Sequence, residues 1–173
     1  IHKCAPEQVF VGNGSDEILL LCLRAFVERD AAIGYFEPSY SLYPVLAAIE
    51  NVRPLTTPLG PNFEWVDPPL VGTSLFFITN PNAPTGMLYP KRKIALFCGS
   101  YEGVVVVDEA YSDFARENCL DVARNLQNVI VTRSLSKSYS LAGLRLGYAI
   151  GPPELISALS KIKDSYNVDA VAQ

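Results

Sequence analysis

Short apolar runs alternate with longer helical segments along most of the chain. Valine, isoleucine and phenylalanine dominate the short runs, and residues 104–107 are four consecutive valines. Runs without a polar face are typical of parallel strands that are covered on both sides of a sheet. Strands are therefore predicted at residues 8–11, 31–36, 52–56, 74–79, 104–107, 129–132 and 146–150. Helices are predicted at residues 18–27, 42–49, 91–101 and from 152–154 to about 165.

This alternation of strands and helices predicts an α/β fold. Near-continuously apolar strands separated by helices indicate a three-layer α/β/α domain with a mostly parallel sheet of about seven strands. The strand at 52–56 is short and is expected at an edge of the sheet. The strand at 146–150 follows Arg145 directly, so we expect the chain to reverse direction there. In sheets of this kind, ligands bind beyond the carboxyl ends of the strands.

Composition removes several classes of function. The 173 residues are 49% apolar and 18% charged, with a net charge of −4 and no basic run. A length of this order supports one domain with a sizeable core. Proteins that bind nucleic acids usually carry a basic surface, and this sequence lacks one, so a nucleic-acid-binding function is excluded. No apolar run reaches the roughly 18 residues that a membrane-spanning helix needs, so no membrane span is predicted.

Cysteine and histidine usage narrows the chemistry further. The four cysteines are scattered and form no C-x-x-C pair, which favours a reducing, cytoplasmic compartment over a disulfide framework. The only histidine, His2, is near the start of the sequence and is expected at the surface. This excludes a histidine-based triad within the chain, and no metal site is predicted.

The candidate chemistry begins after the strand at 129–132. Lys137 lies in a turn with Ser134 and Ser136, and Arg145 follows eight residues later. In a desolvated site a lysine amine loses its charge and becomes a nucleophile. A surface loop with a solvated lysine explains the same residues equally well.

Four other predicted strand ends carry candidates, each with an ordinary alternative. Gly14 and Ser15 open a helix after a glycine turn, which forms an anion site or merely a turn capped by Ser15 or Asp16. Tyr40 can cover a flat ring or pack in its loop. Asn82, in a rigid turn at 80–86, can aim an amide at a ligand or belong to a plain turn.

The fourth of these ends follows the central valine run. Asp108 comes directly after it, with Tyr111 three residues on. A carboxylate at the end of a buried strand is costly unless it pairs with a cation, although it could also cap a helix. Since all five strand ends meet at one edge of the sheet, a single site explains them better than five coincidences.

The combined set matches one cofactor, pyridoxal 5′-phosphate (PLP). An amine forms a Schiff base with its aldehyde, and a carboxylate keeps its ring nitrogen protonated so that the ring accepts electrons. Tyr40 would stack on the ring and Tyr111 would bind a ring oxygen. Ser15, Ser134, Ser136 and Arg145 would hold the phosphate.

Three motifs carry a family resemblance. Asn-Pro-Asn-Ala-Pro-Thr-Gly, Val-Asp-Glu-Ala-Tyr and Ser-Leu-Ser-Lys, with Arg145 after seven further residues, resemble class I/II aminotransferases of PLP fold type I. Gly-Asn-Gly-Ser-Asp-Glu and Glu-Pro-Ser-Tyr-x-x-Tyr are similar to histidinol-phosphate aminotransferases, with phosphoamino-acid decarboxylases next. The resemblance covers about residues 6 to 165.

The resemblance implies a role for each candidate. Lys137 would be the Schiff-base lysine and the proton shuttle, Asp108 would pair with the pyridine nitrogen, and Tyr111 with the ring hydroxyl. Tyr40 would stack on the ring. The phosphate would be bound by the amides of Gly14, Ser15 and Asp16, the hydroxyls of Ser134 and Ser136, and the guanidinium of Arg145.

Two departures from the family pattern affect these expectations. Ala83 occupies the position where the family has an asparagine aimed at the ring hydroxyl, so either Asn82 substitutes for it or Tyr111 acts alone. The family is also about twice as long. We therefore expect residues 1–173 to form most of a PLP-binding large domain, with a smaller domain built from segments on either side.

The function implied is transamination of L-histidinol phosphate with 2-oxoglutarate in histidine biosynthesis, by a homodimer with small-molecule partners. Another class I/II aminotransferase or a PLP-dependent phosphoamino-acid decarboxylase remains open. A truncated module that binds PLP without turnover is the non-enzymatic alternative. A dinucleotide-binding domain is disfavoured because no G-x-G-x-x-G fingerprint is present.

Overall fold

The computed structural model describes residues 2–173, which form one sheet with helices on both faces. The strands are β1 (Val9–Asn13), β2 (Ala32–Glu37), β3 (Arg53–Pro58), β4 (Leu75–Thr79), β5 (Val104–Asp108), β6 (Val129–Ser134) and β7 (Leu146–Ile150). The helices are α1 (Gly14–Phe26), α2 (Leu42–Ile49), α3 (Lys91–Ser100), α4 (Leu120–Asn125) and α5 (Pro153–Ile162). Short 3-10 helices lie at Pro6–Gln8, Ser112–Phe114 and Ala142–Leu144.

The sheet has the order β1-β7-β6-β5-β4-β2-β3, which puts the valine-rich strand β5 at its centre. Strands β2 to β6 pair in parallel, whereas β7 is antiparallel to both of its neighbours, β1 and β6. The mostly parallel, seven-stranded α/β fold predicted from the sequence is therefore confirmed. The edge position of β3 and the reversal before β7 are confirmed with it.

Two apolar cores cover the two faces of the sheet. Successive side chains of a strand point to opposite faces, so Val106 joins the core formed with α1, α2 and α5, while Val105 and Val107 join the core formed with α3 and α4. All three valines are fully buried, and burial of each stabilises the fold by roughly 1.5–3 kcal/mol. This packing on both sides holds the end of β5 firmly, and Asp108 is its last residue.

Some local predictions need correction. Helix α1 begins at Gly14 rather than at residue 18, with Asn13 at the N-cap position and no side-chain cap. Ser15 and Asp16 therefore lie inside the first turn and do not cap the helix. Helix α4 is not predicted from the sequence, because its six residues are too few to show a helical period of apolar positions.

Other expectations concern membrane spans, thiols and histidine. Within residues 2–173, no helix has the length and apolar character that crossing a membrane requires. Cys22, Cys98 and Cys119 are free, buried thiols. His2 is partly exposed, and its Nε2 lies 2.9 Å from the Tyr148 hydroxyl oxygen. It therefore lies at the surface as expected, although it is not fully solvated.

Candidate active site

A cavity of about 150 Å³ lies at the carboxyl end of the sheet and collects nearly all the candidate residues. It is bordered by segments that follow β1, β2, β4, β5 and β6 and by the residue that precedes β7. The predicted site residues that line it are Ser15, Asp16, Tyr40, Asp108, Tyr111, Ser134, Ser136, Lys137 and Arg145. Gly14 and Asn82 are the predicted residues outside this lining.

Beneath the cavity lies a row of polar side chains at matching positions in three parallel strands, of which Thr79 and Asp108 line the cavity itself. Thr79 of β4 pairs with Asp108 of β5, which pairs with Thr132 of β6. The Thr132 hydroxyl donates to Asp108 Oδ1 at 3.3 Å, and the backbone amide of Ala110 donates to the same oxygen at 3.2 Å. The Tyr43 hydroxyl donates to Asp108 Oδ2 at 3.4 Å. These bonds fix the carboxylate in one orientation.

The Asp108 carboxylate is almost completely buried, with 2% of the residue exposed. Burial raises its pKa to about 6, and the hydrogen bonds from Ala110, Thr132 and Tyr43 only partly oppose that effect. No ion pair joins Asp108 to a cation anywhere in residues 2–173. A buried carboxylate without a cationic partner favours binding of a ligand that places a positively charged atom next to it.

Lys137 lies at the mouth of the same cavity. Its Nζ is 5.4 Å from the centroid of the Tyr111 ring, which is within the range of a cation–π contact. The residue is exposed, so the desolvated environment considered from the sequence does not surround it. The amine is accessible to a ligand in the cavity, and Tyr111 lies beside it.

The first turn of α1 and Arg145 form an anion-binding wall. The first amides of a helix have no carbonyl partner within the helix, so those of Ser15 and Asp16 are available to an anion. Asn13 pairs with Leu146 across β1 and β7, which brings Gly14 against Arg145. Gly14 has φ +76°, and a Cβ on it would lie 2.6 Å from Arg145 Nη2. The left-handed backbone favours glycine here, even though Gly14 does not line the cavity.

Two serines complete this wall from the other side. Ser134 ends β6 and is buried, and its Oγ accepts a hydrogen bond of 3.1 Å from the backbone amide of Ser136. This bond holds the turn that leads to Lys137. Both serine side chains border the cavity together with Arg145, so hydroxyl, amide and guanidinium donors converge on one region.

Tyr40 forms a side wall and is held by Asp16. The Tyr40 hydroxyl donates to Asp16 Oδ1 at 3.2 Å, and Arg145 Nη2 lies 3.5 Å from Asp16 Oδ2. Burial, followed by the nearby Asp16 charge, raises the pKa of Tyr40 to about 12. The phenol is therefore neutral at physiological pH and presents its ring to the cavity as a flat apolar surface.

Asn82 is buried but does not line this cavity. Its Nδ2 donates to the Pro38 carbonyl at 3.1 Å and to Thr85 Oγ1 at 2.9 Å, and its Oδ1 accepts from the Ser39 hydroxyl at 3.1 Å. Because the amide is fully engaged with these loops, it is not free to bind a ligand in the cavity. Ala83 lines the cavity instead.

Three residues around Asp108 were not among the predicted site residues. Thr79, Thr132 and Tyr43 support the carboxylate, and the Tyr43 hydroxyl also lies 2.6 Å from Thr79 Oγ1. The sequence contains a signal for the two threonines, because each is a polar residue near the end of a predicted apolar strand. Tyr43 ends the Glu-Pro-Ser-Tyr-x-x-Tyr motif, but its contact with Asp108 depends on how α2 packs across the sheet.

The family model described as aminotransferase class I and II matches residues 2–173. The chain belongs to this family. It is 52% identical over 169 residues to the histidinol-phosphate aminotransferase of Syntrophotalea carbinolica, covering 97% of this chain and 49% of that protein. It is 50% identical to the histidinol-phosphate aminotransferase of Geobacter sp. (strain M21), covering 100% of this chain and 50% of that protein. The chain thus spans about half the length of these relatives.

Solved structures of related proteins share the fold. The histidinol-phosphate aminotransferase of Sinorhizobium meliloti in complex with pyridoxal-5′-phosphate has a TM-score of 0.87 at 26% identity, covering 97% of this chain and 48% of that one. The L-threonine-O-3-phosphate decarboxylase of Porphyromonas gingivalis has a TM-score of 0.88 at 20% identity, covering 99% and 55%. The second likeness concerns the fold alone. Together they confirm the predicted fold class.

Proposed function

We propose that this chain provides the PLP-binding part of an aminotransferase that uses L-histidinol phosphate and 2-oxoglutarate in histidine biosynthesis. Support for the substrates comes from relatives of this name at 52% and 50% identity. Support for the cofactor comes from the related structure in complex with pyridoxal-5′-phosphate. We assign residues 1–173 to the large domain of a cytoplasmic homodimer, and the free thiols agree with a reducing compartment.

The observation that carries the proposal is the buried Asp108 carboxylate, which lacks a cationic partner within residues 2–173. A protonated pyridine nitrogen would supply that partner at the cavity floor. With its pKa near 6, Asp108 is mostly ionised at pH 7 and can hold the proton on the ring nitrogen. Bound PLP supplies an aldehyde carbon for covalent attachment and a ring that accepts electrons.

The catalytic roles are assigned to Lys137, Asp108 and Tyr111. Lys137 would hold the aldehyde carbon of PLP through its amine, and with substrate bound the same amine would move a proton at the substrate Cα. Tyr111 would donate from its hydroxyl to the ring oxygen, without help from Asn82, whose amide is bonded elsewhere. Tyr40 would cover one face of the ring.

The phosphate is assigned to the anion-binding wall. Arg145 supplies a guanidinium, the first turn of α1 supplies backbone amides, and three serines supply hydroxyls. Charge-assisted hydrogen bonds of this kind are stronger than neutral ones, so the phosphate contributes much of the affinity. The assigned groups are the amides of Gly14, Ser15 and Asp16, the hydroxyls of Ser15, Ser134 and Ser136, and Arg145.

A Lys137→Ala variant tests the central assignment. In the wild-type protein, borohydride reduction after incubation with PLP should fix the cofactor to Lys137, as peptide mapping by mass spectrometry would identify. Lys137→Ala should lose this labelling, and its rate of amino transfer from L-histidinol phosphate to 2-oxoglutarate should fall by about 10³-fold or more, as expected when a group that acts both as nucleophile and as base is removed.

Lys161 provides the matched control. It is an exposed lysine in α5, so Lys161→Ala should retain both the labelling and the activity. Unchanged labelling in Lys137→Ala would contradict the assignment. Release of CO2 without amino transfer would favour a decarboxylase, and cofactor labelling without either reaction would favour a binding module.

A further inference from the structure

A network of charged side chains lies behind the cavity, next to the residues that form it. Glu109 follows Asp108 in sequence and is fully buried, and Arg133 precedes Ser134 and is 6% exposed. Arg133 Nε donates to Glu109 Oε2 at 2.8 Å, and its Nη2 lies 2.8 Å from the same oxygen. Burial raises the pKa of Glu109, and the Arg133 charge opposes that effect. The buried pair therefore links the residue after β5 to the end of β6.

Asp113 extends this network to the lysine-bearing turn. Its Oδ1 lies 3.5 Å from Arg133 Nη1, and its Oδ2 accepts a hydrogen bond of 2.5 Å from the Ser138 hydroxyl. Ser138 directly follows Lys137 in the chain. Asp113 itself lies two residues after Tyr111, on the short 3-10 helix Ser112–Phe114. One carboxylate thus ties the turn that carries Lys137 to the turn that carries Tyr111.

The other hydrogen bonds of the turn that carries Lys137 do not attach it to the turn that carries Tyr111. Within it, the Ser140 amide donates to the Lys137 carbonyl and the Leu141 amide donates to the Leu135 carbonyl. The Leu135 amide donates to Leu146, at the start of β7. These bonds shape the turn and attach it to β7. The bond between Ser138 and Asp113 spans 25 residues and attaches it to the segment after β5.

We infer that Asp113 is a positioning residue, which acts through Ser138 to hold the Lys137 amine over Tyr111 and in line with a carbonyl carbon in the cavity. This inference rests on the proposed function, because it concerns attachment of the PLP aldehyde to Lys137. The amine attacks the aldehyde carbon, a C=N bond forms, and the carbonyl oxygen leaves as water. Asp113 contacts none of the reacting atoms, so its effect is confined to the geometry of this step.

Two ligands, PLP and pyridoxine 5′-phosphate, distinguish a role in positioning Lys137 from a role in keeping the whole site folded. PLP has the aldehyde, whereas pyridoxine 5′-phosphate carries an alcohol at that carbon and cannot condense with Lys137. Asp113→Ala and Ser138→Ala should each weaken PLP binding about fivefold, as expected for loss of one exposed hydrogen bond to a charged group. Pyridoxine 5′-phosphate should bind both variants within about twofold of wild type. Because both variants remove the same contact, the double variant should bind PLP no more weakly than either single variant.

Asp121 provides a matched control, since it is a partly exposed aspartate paired with Lys91 and does not line the cavity. Asp121→Ala should leave the affinity for both probes unchanged. The inference is overturned if Asp113→Ala and Ser138→Ala bind PLP as tightly as wild type, or if both probes weaken in parallel. A wild-type protein that bound neither probe would instead refute the proposed function.

Discussion

At the scale of single residues, the burial of Asp108 has an energetic cost that the apolar surroundings do not offset. Its carboxylate has three hydrogen-bond donors and no cation among residues 2–173. Burial raises its pKa from 3.8 to about 6, and the three hydrogen bonds only partly oppose this effect. A carboxyl with a raised folded-state pKa stabilises the fold while it is protonated, and this contribution is lost as the pH rises through 6.

Asp108→Asn should remove this pH dependence, because the amide keeps a similar shape and carries no charge. The quantity to compare is the free energy of unfolding of the variant minus that of wild type, both without cofactor. This difference should be about 2–3 kcal/mol larger at pH 8 than at pH 4. Urea denaturation at pH 4, 6 and 8 measures this difference. A gap between the two proteins that stayed constant across that range would contradict the raised pKa.

At the scale of elements, the join between β1, α1 and β7 determines where an anion can bind. Gly147 of β7 lies beneath the first turn of α1, and a Cβ on it would be 2.5 Å from the Ser15 amide nitrogen and 2.6 Å from the Gly14 carbonyl carbon. Both of these are backbone atoms, so the contact could be relieved only by moving the turn. The spacing between strand and helix is thus set by a residue without a side chain.

Gly147→Ala should displace the first turn of α1 and weaken the binding of pyridoxine 5′-phosphate by tenfold or more, which corresponds to about 1.4 kcal/mol. Isothermal titration calorimetry measures the affinity. Gly143→Ala is the control, because a Cβ at Gly143 meets no atom within 4 Å. Equal affinities in the two variants would show that the turn tolerates the displacement.

The elements also differ in how far their sequences determine them. The apolar run at 104–107 predicts a central strand correctly because both faces of β5 are buried. The start of α1 is predicted four residues late, because Gly14 and Ser15 suggest a turn, whereas both belong to the first turn of the helix, next to Arg145 and Gly147. Asn82 suggests a ligand-binding amide, but its partners Pro38 and Ser39 belong to a distant loop.

At the scale of the whole molecule, the cavity exists only when the strand ends are brought together. The sequence places candidates after separate strands, and the parallel pairing of β4, β5 and β6 brings Thr79, Asp108 and Thr132 into one row. Strand order and register depend on packing across the entire sheet, which local patterns do not encode. That the candidate residues meet at one cavity was therefore predictable from their places after the strands, whereas the support of Asp108 by Tyr43 was not.

A ligand that contacts several of these strand ends should raise the free energy of unfolding, because anything that binds only the native state stabilises it. At a concentration 100 times its Kd, pyridoxine 5′-phosphate should raise the unfolding free energy of wild type by about 2.7 kcal/mol. It should raise that of Asp108→Asn far less, since the amide cannot pair ionically with the pyridine nitrogen. At pH 8 the ligand should therefore shift the stability difference between the two proteins towards wild type. Thermal unfolding with and without the compound measures this shift, and equal stabilisation of both proteins would exclude Asp108 as the ring-nitrogen partner.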